Sequence, residues 1–559
     1  MTTESITNQF SEIRDGMHID WNVPIQMDDG IVLRGDVYRP LEDGRFPVIM
    51  TYGPYGKNLP FQKGYAQQWE ALARDHPEAV AGSTNQHQAW ETVDPEKWVP
   101  DGYVVIRVDS RGAGASPGVL DVHSPRETQD LYACIEWAAS QPWNNGKVGL
   151  CGISYYAMNQ WRVAALRPPH LAAMIPWEGA GDRYREATYH GGIMSEFGTR
   201  WFRQRVAPMQ HRESTRAANP GRRLLDDEWY RARSADWSQV NVPFLSAANW
   251  GGQGLHLRGN MEAFMLAASQ HKWLEVHGLE HWTHFYTPYG VDLQKRFLGY
   301  LLKGEHNGWE KQPRVQLQIR HVDGSFTERH EHEWPLARTQ WTPYYLDPND
   351  RRLSTEPVAV DGTITYAALG EGVTFSTPAL EKETEITGPI AAKLFLSSST
   401  RDADLFLVVR VFAPSGDEVT FPGALAPNAP VAQGWLRASH RKLDSARALP
   451  FRPYHLHDEI QPLIPGEVYE LDVEIWPTCV VIPSGYRIAL SVRGKDYEYE
   501  GTTRAPIVDP AVRLWRGCGP FTHNEARDRP TDVFGGTVSL HAGGQRRAHL
   551  LLPIIPARD

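Results

Sequence analysis

Apolar residues between about residues 20 and 310 form short runs that alternate with longer amphipathic stretches. "IVLRGDVYRP" alternates with a period of two, whereas "PVIMTYG", "YVVIRVDS", "KVGLCGIS" and "VPFLSAANW" are nearly continuous apolar runs punctuated by Gly or Pro, as buried strands are. Stretches such as "ETQDLYACIEWAASQ" and "NMEAFMLAASQ" carry apolar residues at helical spacing. Strands that alternate with crossover helices predict a largely parallel sheet, and hence the α/β class.

Two stretches interrupt this alternation. Residues 58–97 form a long insertion directly after a strand, and residues 183–240 contain no strand-like run. Both lie at loop positions where α/β proteins build lids and caps. We therefore predict a core over residues 1–182 and 241–312, with 58–97 as a lid-like insertion and 183–240 as a cap.

Beyond Pro313 the pattern changes. Runs such as "RVQLQIRHV", "DLFLVVRVFA", "VYELDVEIW" and "YRIALSVRG" alternate apolar and polar residues and are separated by Gly, Pro and Asp turns, with little helical periodicity. This pattern is typical of an antiparallel sandwich such as a jelly roll. Residues 313–559 are therefore predicted to be a separate β domain.

Composition narrows the classes of function. The 559 residues carry a formal net charge of −10, which argues against a nucleic-acid partner because phosphate binding needs clustered Lys and Arg. No window resembles a membrane helix or a secretory signal, so we expect no membrane partner and a cytoplasmic location. The four cysteines form no C-x-x-C pair, and neither a metal nor another cofactor is expected. The sequence is compatible with a homo-oligomer as well as with a monomer.

The stretch "GLCGISYYA" places Ser154 between a strand-like run and a helical one. A strand, a tight turn and a helix are the context of a nucleophile elbow, in which a strained turn exposes one hydroxyl to a cleft. The fifth position of that motif, usually glycine, is Tyr156 here, and the small residue Ala157 follows it. Ser154 is therefore predicted to be a nucleophile, and the backbone N–H of Tyr155 one donor to an oxyanion.

Longer motifs resemble one family. "DDGIVLRGDVYRP", "VVIRVDSRGAGASPG", "ETQDLYACIEWAASQPWNNGKVGLCGISY" and "RFLGYLLKGEHNGW" are similar to the CocE/NonD family of serine hydrolases, as are the late "GWLRASHRKLD" and "PLIPGEVYELDVEIWPT". That family includes cocaine-esterase-like, α-amino-acid ester hydrolase and X-Pro dipeptidyl-peptidase enzymes. The resemblance implies an α/β-hydrolase core, a helical cap and a C-terminal jelly roll.

The resemblance also implies site residues. The second oxyanion donor of the family is a tyrosine hydroxyl in a "PY" pair, which matches Tyr55 in "MTYGPYGKN". The family's histidine lies a few residues beyond a glycine in the loop after the last core strand, here "KWLEVHGLEHWTHFYTPYG". Gly278 then favours His281 as the general base, with His284 as the alternative.

At the position of the catalytic acid the sequence departs from the family pattern. The "GWYD"-like place reads "ANWGGQGLHLRGN", and the acid position falls on Gly252 or Gly254. Glu178 and Asp182 follow the sixth predicted strand, whose end can face the same cleft. We predict Glu178 as the acid and Asp182 as the alternative, although Asp182 also suits a role in holding the cap through a nearby arginine. A hydrolase that lacks its orienting acid would keep part of its rate.

Other classes compete for the same residues. "HGLEH" matches the H-x-x-E-H pattern of zinc proteases, but that chemistry needs a helix, and Gly278 after "KWLEV" indicates a strand and a loop. "RGAGASPG" lacks the spacing of a dinucleotide fingerprint. A jelly roll on an inactive core could also be a carbohydrate-binding scaffold.

The predicted function is hydrolysis of a small-molecule carboxylic ester, or an amide, through an acyl-enzyme on Ser154. The alternatives are an X-Pro dipeptidyl-peptidase and an α-amino-acid ester hydrolase or acyltransferase. Glu186 and Glu196 near the cap make no convincing site for a substrate ammonium, which favours the ester hydrolase. The lid, cap and β domain are expected to enclose the acyl pocket, with Trp177 and Trp250 as candidate walls.

Overall fold

The structure is a computed structural model that describes residues 8–218, 221–501 and 517–557, and most of its strands belong to two large sheets. In chain order the strands are β1 Phe10–Arg14, β2 Met17–Gln26, β3 Val32–Arg39, β4 Phe46–Gly53, β5 Val104–Asp109, β6 Val119–Leu120, β7 Asn144–Ile153, β8 Leu171–Trp177, β9 Tyr189–His190, β10 Ile193–Met194, β11 Thr215–Arg216, β12 Phe244–Asn249, β13 Lys272–His277, β14 Val315–Arg320, β15 Phe326–Glu331, β16 Gln340–Asp347, β17 Arg352–Ser354, β18 Gly362–Ala367, β19 Val373–Ser376, β20 Thr384–Ser398, β21 Asp404–Phe412, β22 Glu418–Val419, β23 Ala432–Arg437, β24 Tyr469–Ile482, β25 Arg487–Arg493, β26 Thr537–Ala542 and β27 His549–Ile555.

The α-helices differ widely in length, from four residues to fifteen. In chain order they are α1 Phe61–Gly64, α2 Ala66–Asp75, α3 Pro77–Val80, α4 Pro95–Trp98, α5 Pro125–Ala139, α6 Tyr155–Ala165, α7 Phe197–Trp201, α8 Glu228–Arg231, α9 Leu257–Leu266, α10 Thr283–Tyr286, α11 Pro288–Leu298 and α12 Thr531–Phe534. Helices α5, α6, α9 and α11 each lie in the chain between two strands of the first sheet, as crossover helices do.

The first sheet has eleven strands in the order β1-β2-β3-β5-β4-β7-β8-β12-β13-β14-β15. Its centre, from β5 to β14, is parallel, and its outer strands pair antiparallel. Apolar clusters cover both faces. Ile135 of α5 packs with Phe244 in one cluster, and Phe297 of α11 packs with Ile175 in the other. The predicted α/β core is present.

Strands β14 and β15 correct one expectation. The alternating run "RVQLQIRHV" was assigned to the β domain, but β14 pairs in parallel with β13 and β15 continues the first sheet. All six residues of β14 are buried, so its alternation does not mark one solvated face. Period-two patterning identifies a strand but not the sheet that the strand joins. The first sheet therefore extends to Glu331, beyond residue 312.

The second sheet has twelve strands and closes on itself. Eleven of them run in the order β18-β26-β20-β24-β23-β21-β25-β19-β17-β16-β27, the twelfth, β22, pairs with β21, and β27 also pairs with β20. Residues such as Leu394, Leu407, Val473 and Leu490 fill the interior of this β-barrel-like domain. The antiparallel β domain predicted from the alternating runs is therefore present.

The two predicted insertions differ in content. Residues 58–97 hold α1 to α4, and the O of Glu91 accepts a hydrogen bond from the N–H of Ile153 at the end of β7 (3.1 Å). Within the described part of 183–240, helix is limited to α7 and α8, of five and four residues, and short π and 3₁₀ turns. The helical character predicted for the cap is not confirmed. Across the described ranges, no helix has the length and apolarity that crossing a membrane requires.

Candidate active site

Four neighbouring strands of the first sheet bring the candidate residues together. Their order is β7-β8-β12-β13, and Ser154, Glu178, His256 and His281 each follow one of these strands in turn. Because the strands are parallel, their carboxyl ends meet at one edge of the sheet. The sheet therefore collects at one place residues that lie up to 127 positions apart in the sequence.

Ser154 occupies a strained turn between β7 and α6. Its φ of 57° and ψ of −113° lie in a region that non-glycine residues rarely adopt, and such outliers cluster at functional sites. The turn leaves no room at Gly152, where a Cβ would lie 2.6 Å from Cβ of Tyr156 and 3.1 Å from the O of Glu91. This geometry is that of a nucleophile elbow.

The hydroxyl of Ser154 contacts a histidine that the sequence analysis did not name. Ser154 Oγ lies 3.2 Å from Nε2 of His256, in the loop between β12 and α9. The sequence carries one signal for this residue, because "ANWGGQGLHLRGN" holds the family's acid position and also contains this histidine.

Glu178 is the central carboxylate of the site. It follows β8 with a φ of 48° and is fully buried. Its Oε2 accepts a hydrogen bond from Nδ1 of His281 (2.8 Å), and its Oε1 is paired with Nε2 of His277 (3.2 Å) and Nδ2 of Asn249 (3.1 Å). Nδ1 of His256 lies 3.9 Å from Oε2. Glu178 thus faces every imidazole of this cluster.

These contacts keep Glu178 ionised. Burial opposes its charge, but the charge of His281 and the hydrogen bonds from His277 and His281 outweigh it and hold the pKa of Glu178 well below its usual range. The pairing with Glu178 also changes the pKa of His277. Burial lowers its pKa, yet Glu275 and Glu178 raise the pKa of His277 to about 9.

His281 lies between two carboxylates. Its Nδ1 is bonded to Glu178 and its Nε2 to Oε1 of Glu91 (2.9 Å). Burial lowers the pKa of His281, but Glu178 first and then Glu91 raise it to about 10. The neighbouring His256 stacks on His281, with ring centroids 5.0 Å apart, and burial and that positive neighbour lower the pKa of His256 to about 3. One imidazole is therefore charged and the other neutral.

The base predicted from the sequence, His281, contacts the predicted acid but not the serine. Among the hydrogen bonds of the described residues, that of the Ser154 side chain goes to His256, and both ring nitrogens of His281 go to carboxylates. His281 as the general base stays a prediction. The alternative, His284, has its Nδ1 3.4 Å from Oγ1 of Thr287.

Of the two predicted acids, the structure brings Glu178 to the imidazoles. Asp182 instead forms an ion pair with Arg185 (2.8 Å), the arrangement expected if it holds the cap. Of the two glycines at the usual acid position, Gly254, with a φ of 87°, leaves no room for a side chain, because a Cβ would lie 3.0 Å from Phe521. A Cβ on Gly252 would lie 3.1 Å from the O of Asn249, and one on the neighbouring Gly251 would lie 2.5 Å from Cα of Gly423 in the β domain. The β domain occupies the space around this loop.

Two donors are available for an oxyanion. Tyr155 is the first residue of α6, so its backbone N–H has no partner within the helix. The hydroxyl of Tyr55 lies 2.9 Å from Nε1 of Trp201, which can only donate, so the proton of Tyr55 is free to point elsewhere. Tyr55 and Ser154 line the same cavity. Whether either tyrosine serves as an oxyanion donor stays a prediction.

The cavity at Ser154 has a volume of about 360 Å³ and lies between the core, both insertions and the β domain. Its aromatic wall includes Tyr65 stacked on Trp90, with ring centroids 4.0 Å apart, and residues 422–427 contribute from the β domain. The prediction that Trp177 and Trp250 form walls of the pocket is wrong. Both are fully buried and outside the cavity lining, because the first packs on His277 in the core and the second donates to O of Gln318.

The zinc-protease pattern has no helix to support it. His277 is the last residue of β13, His281 lies in the following loop, and α10 begins only at Thr283. Glu178, His256 and His281 do offer three ligand atoms within 4.8 Å of one another. However, the Glu178 and His281 atoms are hydrogen-bonded together, as in a catalytic carboxylate–imidazole pair. That no metal is needed stays a prediction.

Comparison with known proteins also indicates the class of enzyme. Residues 29–286 match the X-Pro dipeptidyl-peptidase (S15) family, and residues 307–506 match the X-Pro dipeptidyl-peptidase C-terminal non-catalytic domain. The cocaine esterase of Rhodococcus sp. (strain MB1 Bresler) is 24% identical over 639 aligned positions, covering 96% of this chain and 98% of that protein. The fold and the elbow together define a serine hydrolase.

A solved structure identifies the family. The CocE/NonD family hydrolase of Staphylococcus aureus is 32% identical, with a TM-score of 0.86 over 96% of this chain and 94% of that one. An α-amino acid ester hydrolase, at 14% identity and a TM-score of 0.67, shares the fold. The chain belongs to the CocE/NonD family of serine hydrolases, which confirms the family predicted from the sequence.

Proposed function

We propose that this enzyme hydrolyses a carboxylic ester of a small molecule through an acyl-enzyme on Ser154. The observation that carries the proposal is the 3.2 Å contact between Ser154 Oγ and Nε2 of a neutral imidazole, His256, at a nucleophile elbow that opens on the cavity. The relation to a protein named cocaine esterase supports an ester over an amide. X-Pro dipeptidyl-peptidase activity is the alternative that the family match keeps open.

In the proposed mechanism, Ser154 Oγ attacks the ester carbonyl carbon while its proton passes to Nε2 of His256. The imidazolium that forms then lies 3.9 Å from the ionised Glu178, which offsets its charge. The same ring gives the proton to the leaving alcohol, and the acyl group stays on Oγ. Water then attacks the acyl-enzyme by the reverse sequence and releases the carboxylic acid.

Two donors would stabilise the oxyanion in both steps. The backbone N–H of Tyr155 and the free hydroxyl proton of Tyr55 are the groups we assign. Each such donor contributes a few kcal/mol when it acts only on the transition state. Trp201 fixes the Tyr55 hydroxyl by donating to it, so the tyrosine needs no rearrangement as the charge develops.

We assign His281 to the support of Glu178. Its position between Glu178 and Glu91 makes it a buried cation that keeps the central carboxylate ionised and oriented. The competing assignment, predicted from the sequence, makes His281 the general base. It requires Nε2 of His281 to exchange Glu91 for Ser154, because that nitrogen is bonded to Glu91 in this structure.

The experiment compares Ser154→Ala, His256→Ala and His281→Ala on phenyl acetate, together with labelling of Ser154 by a fluorophosphonate. We expect Ser154→Ala to abolish labelling and turnover, and His256→Ala to lower kcat by about 10⁶-fold, as the loss of a triad histidine does. We expect His281→Ala to lower kcat by less than His256→Ala does. A larger loss in His281→Ala would assign the base to His281, and a wild-type protein that resists labelling would favour the inactive, carbohydrate-binding scaffold.

Further properties belong to the proposal. We propose a jelly-roll arrangement for the β domain, supported by its closed antiparallel sheet, and a cap formed by residues 183–240, supported by Phe197 and Trp201 in the cavity wall. The proposed substrate is a small molecule because the cavity of about 360 Å³ has the size of a ligand pocket. A cytoplasmic location and the absence of nucleic-acid and membrane partners remain expectations from composition.

A further inference from the structure

A second, smaller recess lies at Ser154, and its lining includes neither His256 nor His281. Its volume is about 20 Å³, and its lining includes Ser154, His123 and Arg183. The larger cavity is lined by His256 and His281, and neither of these reaches the recess. The nucleophile therefore stands between a histidine-lined cavity and a basic recess.

The position of the histidines decides which part of an ester lies on which side. The general acid must protonate the leaving alcohol, so the alcohol leaves from the side of His256, in the larger cavity. The acyl group then points the other way, past the oxyanion donor Tyr155 and along Met158 of the same helix, which both line the recess. This assignment rests on the proposed ester hydrolysis.

The recess region has more hydrogen-bond donors than acceptors. Four buried donor atoms have no partner among the described residues: His123 Nε2, Arg162 Nε, Arg183 Nε and Arg233 Nε. Nη1 of Arg183 donates to Nδ1 of His123 (3.3 Å), and because arginine can only donate, the free Nε2 of His123 carries the hydrogen. Among the described residues around the recess, Oε1 of Glu127 is a buried acceptor without a hydrogen-bond partner.

The charge around the recess is also unbalanced. Asp121 pairs with Arg233 (3.0 Å), and Glu127 is bonded to the hydroxyl of Tyr155 (2.5 Å). Arg162, only 6% exposed, and Arg183 have no ion pair within the described chain. Burial lowers the pKa of Arg162 to about 10, with Arg183 and Arg233 adding to the effect, although Tyr155 and Glu127 oppose it. It stays charged at neutral pH.

Buried charge without a counterion is costly, and an anion relieves that cost. We propose that the recess binds the terminal carboxylate of a short acyl group, so that the preferred substrates are half-esters of dicarboxylic acids with three or four carbons. A carboxylate brings two oxygens that accept several hydrogen bonds, which matches the free donors of His123 and Arg183.

The size and rigidity of the recess fit such a group. A volume of 20 Å³ holds about one or two water molecules, which leaves room for a carboxylate and excludes an aromatic ring. The His123 ring packs between Tyr155, at 4.3 Å, and Trp201, at 6.1 Å, so its donor is held in place. The recess therefore selects by charge and by length.

The test compares each anionic half-ester with a neutral ester of similar shape. Monoethyl malonate is paired with ethyl acetoacetate, monoethyl succinate with ethyl levulinate, and ethanol release is measured. We expect kcat/KM for the anionic member of at least one pair to be higher by about tenfold or more, the effect of one charge-assisted hydrogen bond. Arg183→Met should remove the preference, and fluorophosphonate labelling of Ser154 in the variant shows that it folds.

The matched control is Arg205→Gln, which removes the same charge from the wall of the larger cavity and should leave the preference unchanged. Equal loss of preference in both variants would overturn the inference, as would a wild-type enzyme that shows no preference in either pair while it hydrolyses the neutral esters. In that last case the proposed function would still stand.

If no ester is hydrolysed, calorimetry of succinate binding to the Ser154→Ala protein decides. Binding that Arg183→Met weakens by about tenfold or more supports the recess, since this loss equals one charge-assisted hydrogen bond. Absence of succinate binding overturns it.

Discussion

The loops after β8 and β12 bring different groups to the candidate site. The loop after β12, where the family pattern has the acid, supplies glycines and His256, whereas the loop after β8 supplies the carboxylate of Glu178. The two strands are parallel neighbours, and the N–H of Glu178 donates to O of Ala247 in β12 (2.7 Å). Adjacent strands lie about 4.8 Å apart. A carboxylate at either end can therefore reach the same imidazoles.

The two loops also differ in their surroundings. The loop after β12 packs closely on the β domain, where Gly251 meets Gly423 and the N–H of Ala424 donates to O of Gly251 (3.0 Å). A side chain there would separate the two surfaces. Glu178 faces no such contact, and Asn249 and His277 hold both its position and its charge.

The strongest test of the comparison removes the carboxylate after β8. We expect Glu178→Gln to lower kcat by about 10³- to 10⁴-fold, because the amide neither fixes the imidazoles nor offsets their charge. The measurement is kcat on phenyl acetate. The control is Asp182→Asn, whose parent residue pairs with Arg185, and it should keep most of the rate. If Asp182→Asn loses the rate and Glu178→Gln keeps it, the acid has been assigned to the wrong residue.

A second test returns an acid to the loop after β12. Gly254→Asp should destabilise the protein by about 1–3 kcal/mol from its left-handed backbone alone, and more from the contact with Phe521. Gly252→Asp should cost less, because the nearest atom to its added Cβ, the O of Asn249, lies at 3.1 Å and its φ is not positive. Denaturant unfolding measures both. Equal stability of the two variants would contradict the proposed role of the β domain.

A third test concerns the charge on His281. Its pKa in the folded state, about 10, is above its usual value of 6.5, so its contribution to stability is complete below about pH 6.5 and is lost as pH rises toward 10. Glu91→Gln removes one of the two carboxylates that raise this pKa. The variant should therefore lose less unfolding free energy than wild type between pH 7 and 10. An unchanged pH profile would show that His281 is not charged in the wild-type enzyme.

The smallest effect is expected at His284, the alternative base. Its Nδ1 contacts Thr287, and burial and the charge of His277 lower the pKa of His284 to about 3. His284→Asn should keep kcat on phenyl acetate close to the wild-type value, because the ring has no contact with Ser154 or Glu178. A loss as large as that of Glu178→Gln would return His284 to the candidates.

Much of the fold could be predicted because strands, helices and the elbow leave local signals. The nearly continuous apolar run of β7, the small residues Gly152 and Ala157 near Ser154, and the helical spacing that follows indicate a strand, a turn and a helix within one short stretch. Glu178 was found from its place after a strand. His256 and Glu91 were missed, since neither residue carries a motif and each reaches the site from a loop or insertion of irregular shape.

The sequence by itself determined the family, the α/β core, the β domain and the strand–turn–helix at Ser154. The physical reason is that side-chain periodicity and turn chemistry act over a few residues and are written in order along the chain. Only the tertiary structure decided that His256 meets Ser154, that Glu91 holds His281, and that Trp177 and Trp250 lie in the core. Those contacts depend on strand order and on the docking of the β domain, which join residues far apart in sequence.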